Sequence, residues 1–557
     1  MWSTGLAEDY DPVLGNLMND THIKMTFAVF AIECIILFMS GIICSVLAYT
    51  VYAVNPLNLL IEYKLRMTPD SLIFNLWSKP PIDVYVRVFV FNITNPVEFL
   101  NGEEKLRVQE IGPYVYQECL ENVNVTWHEN GTMSYKPSRK IVFVPEMSVS
   151  DPQKDMVQVP NIPLLGISST LHDASFFMNF PWSRLTSMLN SEPILHITAH
   201  DYLWGYEDRL VRLASQIVPS FIDFRKFGLL DRMYDEGDNT ILMNVKEKED
   251  MVDEVGRYLS IDSYNGSPGM SYWGYVDEEG NETRTENTMC NRIRGSTEGI
   301  LFPPHMDTRA RFRVYRKAFC KPIPIAFKNK TWMDNGLEGY IYTIADDFME
   351  TPDVNPDVKC YCKKKCLKKG LSDMTPCYYT IPAAMSLPHF LYGDPDLLKD
   401  VDGLHPDPKL HETKIIIHPG VGVPMAVNSK LQINLVMHHT TYNPKIMLFN
   451  DKTIPLFWSE VYIPGLPPYL TTLLQLMYQI GPVAQTILIC LIGIAGAVCT
   501  VLSLLATFWV FNQQEQIPGL DRRESADLRI PLSYGQYTSI RILPAIKKIT
   551  SRSDLFN

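Results

Sequence analysis

The chain has no surplus of basic charge. Its 557 residues hold 50 Lys and Arg against 62 Asp and Glu, a net charge of −12. A nucleic-acid binder needs a basic face to neutralise phosphates, so nucleic acid is excluded as a partner. No glycine-rich phosphate loop occurs. The stretch GISST (166–170) lacks the second glycine of a nucleophile elbow. HETK (411–414) lacks the second histidine of a zinc-protease helix. Little therefore points to an enzyme, and no cofactor is implied. Internal repeats and low-complexity segments are also missing. Finally, two long stretches are almost without charge: residues 25–54 carry only Glu33, and residues 482–511 carry none.

A bilayer core of ~30 Å needs ~20 apolar residues in helix, so both stretches read as membrane spans. The first is too long for a signal peptide, and acidic Glu8, Asp9, Asp11 and Asp20 precede it where a basic region belongs. Glu33 is a costly intramembrane acid, read here as reaching the cytosolic interface. Gly493 and Ala497 form a small-xxx-small pair able to seat the first helix or a second copy, the basis for a homo-oligomer expectation. The tail after the second span has seven basic residues against five acids, which favours the cytosol. The predicted layout is then a cytoplasmic tail at 1–24, spans at 25–54 and 482–511, a luminal or extracellular domain at 55–481, and a cytoplasmic tail at 512–557. Six sequons between the spans agree, at Asn92, Asn124, Asn130, Asn265, Asn281 and Asn329, with Asn265 weakened by Pro268.

Seven cysteines lie between the spans: Cys119, Cys290, Cys320, Cys360, Cys362, Cys366 and Cys377. An oxidising lumen favours disulfides. A metal site or a redox thiol is the alternative, and the Cys362/Cys366 gap suits metal but lacks a clean partner pair. Parity leaves one cysteine over, and Cys119 is the expected free one. Residues 82–94 (IDVYVRVFVFNIT) alternate valines with larger or polar residues, which predicts a strand. GPYVYQE, KIVFVPE, GYIYTIA, KLQINLVMH and LFWSEVYIP read likewise. Helical patterning gathers between about 167 and 230. The expected class is α+β, a mostly antiparallel sheet with a helical insertion.

The motifs VFVFNITNPVEFLNG, EIGPYVYQE, LWGYED, SYW, FPP and SLPHFLYGDP occur in that order, and with them the chain resembles the class B scavenger receptor family, which includes the lysosomal integral membrane protein type two. The resemblance covers the chain from span to span. It implies an antiparallel β-barrel-like ectodomain crossed by a lipid-sized tunnel and capped by the helices far from the membrane. It also implies three disulfides: Cys290–Cys360, Cys320–Cys377 and Cys362–Cys366. Relatives that capture anionic ligands carry cap lysines, whereas residues 185–208 here contain no Lys or Arg.

Two functions follow as expectations. The first is a receptor that binds lipid or lipoprotein-like particles at its cap and passes lipid through the tunnel to the membrane, in the endosomal or lysosomal system or at the plasma membrane. Candidate cap residues are Phe176, Phe177, Met178 and Phe180, with a plain helix-bundle core as the alternative reading. His172, His196 and His200 would gain charge in an acidic compartment, since histidine titrates near ~6.5. Three ordinary histidines are the competing reading. The second function is a trafficking receptor that carries a luminal protein to lysosomes. YTSI, with Tyr537 and Ile540, fits the tyrosine signal read by clathrin adaptors, and YDPV (10–13) is a weaker copy.

Overall fold

The computed structural model describes residues 12–217, 219–220, 222–235, 237–246, 257–276, 287–362, 365–441 and 443–515, with side chains from residue 28 to residue 512. Asn281, Tyr537 and Ile540 lie outside the described residues. The chain divides into two compact units, one made of the terminal segments up to Asn55 and from Gln485, the other of Pro56–Ala484.

In the first unit, helices Pro12–Val54 and Gly481–Glu515 are each long and apolar enough to cross a membrane. They run antiparallel and close. A Cβ on Gly496 would stand 2.7 Å from Ser45 Oγ, and one on Gly41 would stand 2.4 Å from Thr500 Oγ1. Ser503 Oγ donates to the Cys34 carbonyl at 2.8 Å, and Gln485 Nε2 to Asn55 Oδ1 at 3.1 Å. Small residues let the backbones meet, which is how helices associate in lipid. Gly493 faces Ala48 at 4.0 Å, so the first helix of the same chain occupies that small-residue face.

The second unit is built on a 14-stranded sheet. Its neighbours run Arg311–Arg316, Lys321–Trp332, Glu338–Ile344, Lys414–Ile417, Pro424–Val436, Thr453–Ile463, Val84–Ile93, Leu106–Trp127, Thr132–Phe143, Ile241–Asn244 and Ile261–Tyr264, each antiparallel to the next. Every alternating stretch singled out above overlaps one of these strands. In Val84–Ile93 the valines point inward, as a period of two requires. On the opposite face Arg87 sits across from Glu460, at 3.2 Å, and over the Tyr462 ring at 3.6 Å.

The barrel expectation needs correction. Among the described residues the ladder does not close strand to strand. Between the end strands Arg311–Arg316 and Ile261–Tyr264 runs one irregular segment. Ile261 N–H donates to Ser296 O at 2.7 Å and Thr297 N–H to Arg313 O at 2.7 Å, while Gly295 N–H returns to Ile261 O at 2.9 Å. The chain here turns at Gly295, φ +84°, in place of an alternating run, so it links the edges with a few bonds rather than a full ladder.

Helices gather where the sequence places them. Ile162–Thr170, Phe176–Met188, Ala199–Trp204, Arg209–Ile217 and Leu229–Tyr234 are interleaved with two short strand pairs, Met156–Pro160 with Ile194–Thr198 and Tyr206–Glu207 with Lys226–Phe227. Their buried residues, Leu164, Leu165, Tyr202, Leu203 and Leu230 among them, join Val88, Val90, Ile433, Leu435 and Phe457 of the sheet in one core.

Candidate functional site

Where the helices meet the sheet lies a narrow apolar cavity of about 40 Å³. Ile162, Leu229 and Met233 line it from the helical side, and Ile433, Leu435 and Leu456 from the sheet. The cavity forms because successive residues of Pro424–Val436 point to opposite faces. Ile433 and Leu435 turn toward the cavity, whereas Lys430, Gln432 and Asn434 turn away into a buried polar layer. Among the described residues one charged side chain lines it. Arg232 is bound by Asp231 at 2.6 Å and Asp235 at 3.4 Å, and its guanidinium lies 4.5 Å over Phe224. It therefore presents a neutralised group to the cavity rather than a spare positive charge.

The four cap candidates do not form a core. Phe176, Phe177, Met178 and Phe180 are 53%, 83%, 57% and 44% exposed. They start helix Phe176–Met188, where Phe176 stacks on Phe180 at 5.3 Å and Arg184 lies 5.2 Å from the Phe180 ring. Asn179 and Thr186 take the inward face instead, and Asn179 Nδ2 donates to the carbonyls of Leu171 and Ala174. Trp182 Nε1 donates to Ser168 Oγ at 2.8 Å, tying this helix to the one that carries Ile162. The result is an apolar tip held by polar bonds beneath it.

The three histidines are not brought together. His172 hydrogen-bonds the Ser169 carbonyl at 2.9 Å and its ring lies 4.3 Å from that of His438. Burial, with His172 beside it, holds His438 below the usual histidine range. His196 is exposed on strand Ile194–Thr198, and the backbone N–H of the half-buried His200 donates to Pro152 O.

The sequons divide by the state of their amides. Asn124, Asn130 and Asn329 are exposed, and Asn130 Oδ1 accepts from Thr132 N–H at 3.2 Å and Thr132 Oγ1 at 2.7 Å. Asn92 lies within a strand, its Oδ1 taken by Gln158 N–H at 2.8 Å. Asn265 is exposed, but its Nδ2 donates to Asn239 Oδ1 at 2.7 Å. Cys290 is joined to Cys360, Cys320 to Cys377, and Cys362 to Cys366, with Cα separations of 5.9, 6.1 and 4.8 Å, all within bridging reach. Cys119 is free and exposed.

Two buried arrangements escaped the sequence reading. In the first, Glu110 Oε2 accepts from His389 Nε2 and from Trp458 Nε1, both at 2.7 Å, and His411 stacks on His389 at 4.4 Å. Burial pulls Glu110 up, but those two bonds outweigh it and leave the carboxyl low. Burial, then His389, push His411 down to about 4. Glu110, His389 and His411 have the spacing of metal ligands. Their hydrogen bonds argue otherwise. His389 Nδ1 accepts the His405 N–H at 3.1 Å, and His411 Nδ1 the Asp407 N–H at 3.0 Å. With Nδ1 accepting, each ring carries its proton on Nε2, so neither imidazole turns a lone pair to the centre of the cluster. The second arrangement is Lys321, fully buried beside Cys320. Its Nζ lies 2.9 Å from Ser372 Oγ, 3.8 Å from the Tyr361 ring centre and 4.6 Å from that of Trp273. Burial pushes its ammonium down to about 7, against a weaker pull from Asp373. Partners 279 residues apart, as Glu110 and His389 are, leave no local pattern to read.

The family model described as the CD36 family matches residues 34–507. Bovine (Bos taurus) scavenger receptor class B member 1 is 29% identical over 398 residues, 71% of this chain and 73% of that protein. Human (Homo sapiens) lysosome membrane protein 2 is 29% identical over 378 residues, 67% of this chain and 73% of that protein. With two membrane-length terminal helices around a large antiparallel sheet and its helical insertion, and a family match spanning most of its length, the chain is an integral membrane protein that belongs to the CD36 family.

Proposed function

We propose that this protein is a receptor for lipid or lipoprotein-like particles, which dock on the exposed Phe176–Phe180 tip and release lipid into the apolar cavity beneath the helices. The cavity carries the reading. Removing apolar surface from water yields about 25 cal/mol per Å², and this driving force has no directional demand, so a lining rich in Ile, Leu and Met favours apolar groups whatever their shape once its side chains part to admit them. The neutralised Arg232 and a cap segment without basic residues favour ligands with uncharged head groups. Passage onward through a tunnel to the bilayer is part of the same proposal. So is the layout in which residues 55–481 are luminal or extracellular and glycosylated. Asn124, Asn130 and Asn329 are the acceptors best supported by exposure.

The test is lipid analysis of the full chain purified from animal cells. Neutral lipid in stoichiometric amount, reduced by Ala383→Phe at a residue that lines the cavity, is the expected result. A lipid-free, folded protein would refute it.

A second reading has its own support. The tip is also the kind of exposed apolar patch that marks a protein-docking site. A trafficking receptor would use it to carry a luminal protein to lysosomes, with Tyr537 and Ile540 engaging clathrin adaptors. Late endosomes and lysosomes, as well as the plasma membrane, are then its proposed sites of residence. Loss of a co-purifying luminal protein in Phe177→Asp, with lipid content unchanged, would single out this reading.

A further inference from the structure

A second cleft, far roomier than the cavity beneath the helices at about 430 Å³, opens where strands Lys321–Trp332 and Glu338–Ile344 meet residues 387–392. Among the described residues the two share no lining side chain. The size suits a small ligand. One wall begins at a β-bulge. Phe327 pairs with Tyr342 and Asn329 with Ile341, which leaves Lys328 as an extra residue in the ladder. Alternation would send Phe327 and Lys328 to opposite faces. A bulge turns two successive side chains the same way, and both line the cleft.

Another wall is held against its conformational preference. His389, Phe390 and Tyr392 have φ of +55°, +56° and +61°, a region that costs free energy for any residue with a side chain and that gathers at ligand sites. The core imposes it. His389 N–H donates to Gln432 Oε1 at 2.7 Å, and Phe390 and Leu391 are buried. Tyr392 is thereby left 51% exposed on the cleft wall, its Oη 3.5 Å from Glu412 Oε1. Burial, then Glu412, raises the phenol, so the ring stays neutral. Lys328 bonds the same Glu412 oxygen, and Lys369 pairs with Glu350. Asp346 also lines the cleft, exposed and without an ion pair among the described residues. Three carboxylates therefore stand against two ammoniums, with Phe327 and Tyr392 as aromatic neighbours.

We propose that this cleft binds an organic ammonium group, free or as the head group of a choline lipid, with its charge beside Asp346, Glu412 and the Tyr392 ring and its carbon chain on Ile344, Leu387 and Leu391. The one uncompensated negative charge of the lining selects a cation over an anion. A methylated ammonium surrounds its charge with apolar methyl groups, which aromatic faces recognise. A bare metal ion suits the cleft less, because it needs converging oxygens and two of the three carboxylates are already held by lysines. The inference stands apart from the reading of the cavity beneath the helices, and neither needs the other.

The test uses the full chain in uncharged maltoside micelles and titrates hexyltrimethylammonium by calorimetry, with empty micelles subtracted. Saturable binding is expected, and none for hexanoate. Asp346→Asn and Tyr392→Leu should each weaken it about fivefold or more. Both side chains are exposed, so unfolding temperatures should hold. Asp346→Lys reverses the balance of charge and should exchange the preference, taking hexanoate in place of the cation. No binding to the unaltered protein, or equal binding to Asp346→Asn and Tyr392→Leu, would overturn the proposal. Competition names the source. Displacement by choline assigns a free ammonium, and displacement by dihexanoylphosphatidylcholine alone assigns a lipid head group. Displacement by neither overturns the proposal.

Discussion

Lys321 offers the sharpest quantitative prediction. Its ammonium is fully buried, with one hydroxyl and two aromatic rings for partners. Burial takes its pKa from 10.5 to about 7. A base whose pKa falls on folding binds its proton more weakly in the folded state. Between pH 7 and 10.5 the unfolded chain then holds more protons, so stability rises with pH across that window. Below pH 7 both states are protonated and the full cost is present, about 5 kcal/mol for such a shift. Linkage gives a gain of about 1 kcal/mol from pH 5 to pH 8, and about 3 kcal/mol from pH 5 to pH 9. Lys321→Met keeps the volume and removes the titration. Urea unfolding of both proteins, followed by fluorescence at pH 5, 8 and 9, should show Met ahead of Lys at pH 5, with its lead shrinking by those amounts as pH rises. A lead that stays constant from pH 5 to pH 9 would refute a buried lysine that titrates near neutrality. The consequence for a protein that enters acidic compartments is a domain made less stable there by one side chain.

Further outcomes follow from the disulfides, the helix pair, the tip and the tail. Chain entropy sets the loss at about 4 kcal/mol for Cys320→Ala/Cys377→Ala and about 2 kcal/mol for Cys362→Ala/Cys366→Ala, so unfolding midpoints should fall in that order. Gly496→Leu drives a side chain into Ser45 and Gly41, and should separate the two terminal helices, read as loss of a disulfide between cysteines introduced at Ala48 and Gly493. Phe177→Asp leaves the fold intact, because the ring is exposed, and should weaken particle binding at least tenfold; equal binding would remove the tip from the site. Tyr537→Ala should move the protein to the cell surface, and an unchanged distribution by surface labelling would discard the tail signal.

Local pattern carried much of this protein. The uncharged runs at 25–54 and 482–511 mark the terminal helices because hydropathy is additive along a segment. The alternation in residues 82–94 marks a strand because a pleated chain has period two, whatever it pairs with. The clustered helices of the cap were legible for the same reason. What sequence could not decide is how those segments meet. Whether the sheet closes depends on residues 295–297, an irregular stretch that bonds to strands on both sides. Phe176–Phe180 reads equally as core or as surface, because an apolar run does not state which neighbours cover it; only the packed bundle leaves it bare. The pairing of Gly493 with Ala48, the Glu110–His389 bond and the aromatic enclosure of Lys321 all join residues far apart in the chain. Such contacts depend on where the folded backbone returns, and only tertiary structure supplies that.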